Sequence, residues 1–573
     1  MLKLLYYKHV TFKMKKNNYL YIFIIILLAI FLRLYSIDKA EGLWNDEYVS
    51  WYIATQNTIG EFFKKMIDNC HMPLYYLYIK FWLFFFPDTD ISLRISSVIP
   101  SILSIITMYF VGKEYKNEKI GLSCALLMAI NSFAIYFAQE VRLYSLLILF
   151  TSLSLLFFIK TFNNFTKKSF YLFLIANFFI CITHTIGILF SLFNISILIY
   201  YLYKNNDEFK NKFKQLFFNK KTAIVLCISA ILILPFAFNI AFSKNLSQFW
   251  SDFSITKIFC TFIDYFSPIQ TNIINTKPSI LNYFMWTDYP NTNFIIYGFL
   301  PFIISVISII KSLLLKEKVI KYLFTISTLF FFSLIIFAIL GKIILITKYS
   351  CEIFPTLILL LAIGFNSFKF KKIGTILFLT YLILNINYLY TNNSSAPKKL
   401  RAEGNKIVID LIRKAELKNN DYIFLTYYDK SKFDRYLNID ETYNFDSIDK
   451  LNFHYKLFND ENYHTLIKTG KTTKKDFIFS ENNEITNNFF EKNYKNKMNK
   501  GDKIALVFLD SVSFLDENEI QNIKENETLY NKTSFIFLLF SSIKNNAIKY
   551  FNNEYTFITK LKDGAWSIYI YEK

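Results

Sequence analysis

At 573 residues, 53% of them hydrophobic and only 19% charged, the chain is far more apolar than a soluble protein, in which about a quarter of residues are charged. The formal net charge of +20 would suit a nucleic-acid binder, but before residue 390 most lysines sit in short clusters between apolar runs, which is the pattern of membrane topology. The six cysteines show no CxxC spacing, and Cys124, Cys181 and Cys227 fall inside apolar runs, so neither a metal framework nor a disulfide scaffold is expected.

The N-terminus is basic (Lys3, Lys8, Lys13, Lys15, Lys16) and leads into an apolar run from Tyr19 to Leu34 with no small-residue cleavage site behind it, as in an uncleaved first span. Apolar runs of roughly 17 to 20 residues recur after it, long enough to cross about 30 Å of hydrocarbon as helices. They fall at Ile91 to Val111, Ile120 to Ala138, Leu143 to Ile159, Phe170 to Ile182, Ile186 to Leu202 and Ala223 to Phe242. Phe294 to Ile310, Tyr322 to Leu340, Ile353 to Phe365 and Ile373 to Tyr390 complete a set of eleven. The segment Leu74 to Phe86, about 13 residues behind Pro73, is too short to cross and reads as a helix lying flat on the outer face, with Trp82 at headgroup depth.

Orientation follows from the lysines. The loops after spans two, four, six, eight and ten are all positive, as in Lys113, Lys116, Lys119 and in Lys369, Lys371, Lys372. The alternate short loops carry only Arg142, Lys342 and Lys348, and the long loops 35–90 and 243–293 are sparsely basic for their length. The N-terminus is therefore expected in the cytoplasm, and an odd number of spans puts the C-terminal end outside.

Beyond Tyr390 the composition turns charged and Asn-rich. The expected organisation is a transmembrane domain over residues 1–390 and an extracytoplasmic soluble domain over 391–573, a small α/β fold. A helix-like stretch (Asn405 to Ala415) precedes β-like runs at Tyr422 to Tyr427 and Lys503 to Phe508, and TFITKLKDGAWSIYIYEK reads as a hairpin turning at Asp563-Gly564. The run SFIFLLF from Ser534 is too short for a twelfth span and reads as a core strand.

The residues with chemistry share one membrane face in this topology. Asp46 and Glu47 follow the first span among aromatics. His71-Met72-Pro73-Leu74-Tyr75-Tyr76 comes next, then Arg94 where the second span begins, and after the third Gln139-Glu140-Val141-Arg142-Leu143-Tyr144. Charged groups at a helix end cost several kcal/mol in lipid unless paired or in a wet cavity, so Glu140 and Arg142 mark a polar site or a snorkelling rim. Thr183-His184-Thr185 and Lys348-Tyr349, ahead of Pro355, lie on the same face.

This ordered set, over about residues 19 to 390, resembles the GT-C superfamily of membrane glycosyltransferases: the dolichyl-phosphate-mannose protein mannosyltransferases, the lipid A aminoarabinose transferases and the rhizobial lipopolysaccharide glycosyltransferases. The resemblance implies an outward active site that takes a sugar from a polyprenyl-phosphate donor and inverts it onto a hydroxyl of a glycan, lipid or protein acceptor. Asp46 is then the candidate general base, since an exposed carboxylate can accept the acceptor's proton. Glu47 and Glu140 would shape the cleft; with Asp46 they supply hard oxygen ligands that could hold a divalent cation. Lys348 and Arg142, with Tyr349, would neutralise the donor phosphate. Lys348 stands where the family often has Arg, which keeps the charge but loses the bidentate fork. His71 reads either as a ligand or as an interfacial imidazole, and Arg94, Tyr144 and His184 complete the cleft candidates.

Two other classes are open to a helical envelope protein. A transporter or flippase usually shows internal repeats and Gly/Pro-broken spans, neither of which this sequence displays. An O-antigen polymerase or ligase would carry key arginines in a large outer loop, and the loop 243–293 has none. No nucleic-acid partner is expected.

Overall fold

The computed structural model describes residues 16–35, 45–68, 71–211, 255–268, 294–340, 347–391, 421–425, 444–447, 490–509 (without 496), 515–525, 535–563 and 566–573. It also describes Ile37, Gly42, Leu43, Leu345 and a few positions within 411–417 and 486–488. The chain divides into two compact units: one of Met1–Asp38, Val49–Leu246 and Asp252–Pro397, the other of Lys39–Tyr48, Ser247–Ser251 and Lys398–Lys573.

The first unit is helical. In chain order it holds α1 (Lys16–Leu34), most of α2 (Asn45–Ala54), α3 (Ile59–Asp68), α4 (Pro73–Phe85), α5 (Asp90–Tyr115), α6 (Glu118–Ile130), α7 (Ser132–Ala138), α8 (Tyr144–Asn163), α9 (Lys167–Thr183) and α10 (Ile186–Asn205). Then come α11 (Ile255–Phe266), a π-helical turn Phe294–Phe299 running into α12 (Leu300–Leu313), α13 (Lys318–Ile339), a 3-10 segment Thr347–Ile353 running into α14 (Phe354–Asn366), and α15 (Lys371–Thr391). Helices coincide with each expected span except Ala223 to Phe242, which lies outside the described residues. Among the described residues six helices are long and apolar enough to cross a membrane, or seven if one bent pair counts as a single span. The chain is a polytopic helical membrane protein.

That bent pair corrects the third expected span. Ile120 to Ala138 is not one straight helix, because α6 and α7 meet at an angle of 59°. The break needs neither glycine nor proline. Asn131 takes an extended backbone (φ −65, ψ 127) and its side-chain oxygen accepts from Ala134 N at 3.1 Å, starting α7 with the type of cap that Asn favours. A break also strips the end of α6 of carbonyl partners, and Arg33 from α1 supplies them: it donates to Met128 O at 3.1 Å and to Ala129 O at 2.8 Å.

Elsewhere small residues let helices approach. A Cβ on Gly364 of α14 would sit 1.8 Å from the Ser308 carbonyl oxygen of α12, so only glycine fits that crossing. Asn177 of α9 donates to Ser154 Oγ of α8 at 2.9 Å, and Asn194 of α10 donates to the same hydroxyl at 2.9 Å and to Asn177 Oδ1 at 3.1 Å. Such knots join helices in lipid, where apolar faces alone do not.

Helix α4 occupies the segment judged too short to span. Proline stands at its start, Tyr75, Tyr76, Ile79 and Trp82 are buried, and Phe81, Phe84 and Phe85 are exposed.

The second unit carries a five-stranded sheet ordered β2-β1-β3-β5-β4, from β1 (Tyr422–Leu425), β2 (Asn444–Ser447), β3 (Lys503–Leu509), β4 (Thr556–Asp563) and β5 (Trp566–Glu572). β1 runs parallel to β2 and β3, while β5 runs antiparallel to β3 and β4. The expected terminal hairpin is present with Asp563 opposite Trp566; its turn residues, and most of Asn405 to Ala415, lie outside the described residues. The run SFIFLLF is not a strand: it opens the helix α17 (Phe535–Glu554), which follows α16 (Glu517–Glu525). Six apolar residues in a row cannot set the period, but Ile543, Ala547 and Phe551 behind them recur every four residues and pack on Phe424, Leu506 and Tyr571.

Candidate active site

One end of the helical unit gathers the polar groups. The C-terminal end of α1 has carbonyls with no partner of their own, and Gln139, just past α7, covers them, its Nε2 donating to Arg33 O and Tyr35 O at 2.9 Å each. Arg94 in α5 is fully buried and donates to Ile37 O at 3.3 Å, tying the start of the second span to the end of the first. Glu140 and Arg142 sit in the tight turn between α7 and α8. Glu140 O accepts from Ser97 Oγ at 2.6 Å and from Arg142 N at 2.8 Å, and Arg142 Nη1 lies 3.4 Å from Ser50 Oγ on α2. Both side chains are buried.

Two residues beyond Arg142, Tyr144 opens α8 and turns its ring edge toward His184, with centroids 6.3 Å apart. His184 ends α9 as its C-cap and is buried in the short turn before α10. Its Nδ1 lies 2.7 Å from Oε1 of Glu352, a buried carboxylate on the 3-10 segment Thr347–Ile353. The same segment carries Lys348 and Tyr349. The Tyr349 ring is 6.2 Å from the imidazole, and Lys348 Nζ stands 5.7 Å from that ring, within range of a cation–π contact. Both residues are half-buried.

Helix α11, inside the loop 243–293, holds this segment. Thr347 Oγ1 donates to Asp264 Oδ2 at 2.6 Å, Tyr265 Oη pairs with Ser350 Oγ at 2.7 Å, and Asn131 at the helix break donates to Tyr265 O at 2.8 Å. Phe133, Tyr265 and Phe354 pack ring against ring across the same elements.

The expected residues thus fall into groups. Tyr144, His184, Lys348 and Tyr349 come together; Arg94, Glu140 and Arg142 gather beside the end of α1. His71 stacks on Tyr76 at 5.2 Å. Asp46 and Glu47 belong to the second unit, in the first turn of α2, where a helix N-terminus favours negative charge; Asp46 is half-buried and Glu47 buried. Among the described residues no group of three His, Cys, Asp or Glu side chains could hold a metal ion.

Two acids were missed by sequence reasoning. Glu352 follows Lys348 by four positions and directly precedes an apolar run, and an ionisable residue in that position was a readable signal. Asp264 stands between Phe262-Ile263 and Tyr265-Phe266 in the loop 243–293, an acid in an apolar stretch.

The fold has solved counterparts. A crystal structure of ArnT from Cupriavidus metallidurans in the apo state superposes with a TM-score of 0.50 over 96% of this chain and 97% of that one, at 9% identity. The same protein bound to undecaprenyl phosphate gives 0.47 over the same shares at 8% identity. No family model matches the sequence, and no curated protein matches it either. The chain shares its overall fold with that apo ArnT structure.

Proposed function

We propose that the protein is an inner-membrane glycosyltransferase that moves a sugar from a polyprenyl-phosphate carrier to an acceptor hydroxyl on the outer face, inverting the anomeric carbon. The observation that carries the reading is the convergence of Tyr144, His184, Lys348 and Tyr349 within one polar site of a GT-C fold. Three sequence-distant elements supply them, and a fold match alone would not require those side chains to meet.

In this mechanism Asp46 takes the proton from the acceptor hydroxyl as its oxygen attacks the anomeric carbon. The sugar–phosphate bond breaks with its electron pair going to the carrier phosphate, whose growing charge is met by Lys348 and Arg142. Glu47 and Glu140 shape the acceptor side. Asp46→Asn keeps the size of the side chain but removes the proton acceptor. Turnover of a polyprenyl-phosphate sugar by the purified full chain is expected to fall about 100-fold, with donor affinity unchanged. Near-normal transfer by that variant would sink the base assignment and move it to Glu47 or Glu140.

The topology proposed with it has the N-terminus in the cytoplasm and residues 391–573 outside. Reporter fusions after Tyr203 should read cytoplasmic and fusions at Lys573 outside; a cytoplasmic reading at Lys573 would remove one crossing from the scheme.

A further inference from the structure

Glu352 reaches beyond that mechanism. Its carboxylate is buried, Oε1 is taken up by His184 Nδ1 at 2.7 Å, and Oε2 has no hydrogen-bond partner among the described residues. A carboxylate kept only to tie α9 to the 3-10 segment would be expected to use both oxygens, because buried polar atoms in native structures rarely stay unmatched. His184 Nε2, the other ring nitrogen, likewise makes no hydrogen bond to a described residue. The imidazole is thus fixed from one side and open on the other, with the Tyr349 ring 6.2 Å away and Lys348 Nζ over that same ring.

The proton count suits an anion. With one proton between Nδ1 and Oε1 and one on Nε2, the pair carries no net charge, whichever atom holds the shared proton. Nε2–H then offers a hydrogen bond without burying an unbalanced charge. We infer that Glu352 is a positioning residue that holds His184 so that Nε2–H donates to the phosphate of a polyprenyl-phosphate ligand, beside Lys348. The inference rests on the glycosyl-transfer reading. In that reaction the carrier phosphate leaves as a monoester with a second negative charge, so a donor oriented toward it gains strength as the sugar departs.

The test uses the full chain in nanodiscs and undecaprenyl phosphate as the probe. Glu352→Gln and His184→Gln should each weaken binding about tenfold. The double variant should bind no worse than either single one, because both remove the same hydrogen bond. Glu352→Asp, which keeps the carboxylate, should recover part of the loss, a rescue that a packing role would not give. If wild type binds and Glu352→Gln binds equally well, or if the two losses add, the positioning role is overturned. If wild type itself does not bind the probe, the carrier assignment under the proposed function fails as well.

Discussion

Arg33 and Glu352 are both charged, both shielded from solvent and both in the helical unit, yet they are treated in opposite ways. Arg33 is surrounded by acceptors: Nε donates to Ser101 Oγ at 2.8 Å, Nη1 to Ala129 O at 2.8 Å and Ala29 O at 3.3 Å, and Nη2 to Met128 O at 3.1 Å. Glu352 uses one oxygen of two. A buried ion whose hydrogen-bonding capacity is met within the protein has a structural task, whereas one left partly open has room for a ligand. The sorting rule comes from completeness of satisfaction rather than from burial, since both residues are equally buried.

Substitutions can break that contrast. Arg33→Met should have the largest effect on stability, about 3 kcal/mol, because the carbonyls of Met128 and Ala129 lose their donor inside the bundle. Thermal unfolding of the solubilised protein should show it. Lys348→Ala, half-buried at the open site, should leave that transition nearly unchanged and weaken undecaprenyl phosphate binding about tenfold. Were Lys348→Ala to lower the unfolding midpoint as much as Arg33→Met, Lys348 would have a structural task and no part in binding the phosphate. Gln139→Ala marks the small end: one amide capping two carbonyls of α1 should cost about 1 kcal/mol and leave probe affinity alone.

Much of this was readable from the residues. The helices were legible because apolar runs of spanning length have few alternatives, and the motifs from Gln139 to Tyr144 and at Lys348-Tyr349 marked groups that the structure places at one end of the unit. The break at Asn131 was not legible, since the apolar run continues unbroken through it and the cap that makes it depends on one side chain turning back to Ala134. The place of Glu352 before an apolar run was legible, but its contact with His184 was not, because that partner lies 168 positions away. The run from Ser534 was misjudged for the opposite reason: its length was read, but the four-residue recurrence behind it was not.

The bend between α6 and α7 has a consequence for how the chain is made. At 13 and 7 residues neither piece reaches across a bilayer alone. Held at 59°, the pair exposes carbonyls that hydrocarbon cannot satisfy, at a cost of several kcal/mol each. Among the described residues the guanidinium of Arg33 in α1 covers those of Met128 and Ala129. Helix α1 therefore acts as a template for the bent pair, and a chain whose α1 lacks Arg33 should favour residues 118–138 as a single straight rod, carrying Gln139 and Glu140 away from the turn between α7 and α8.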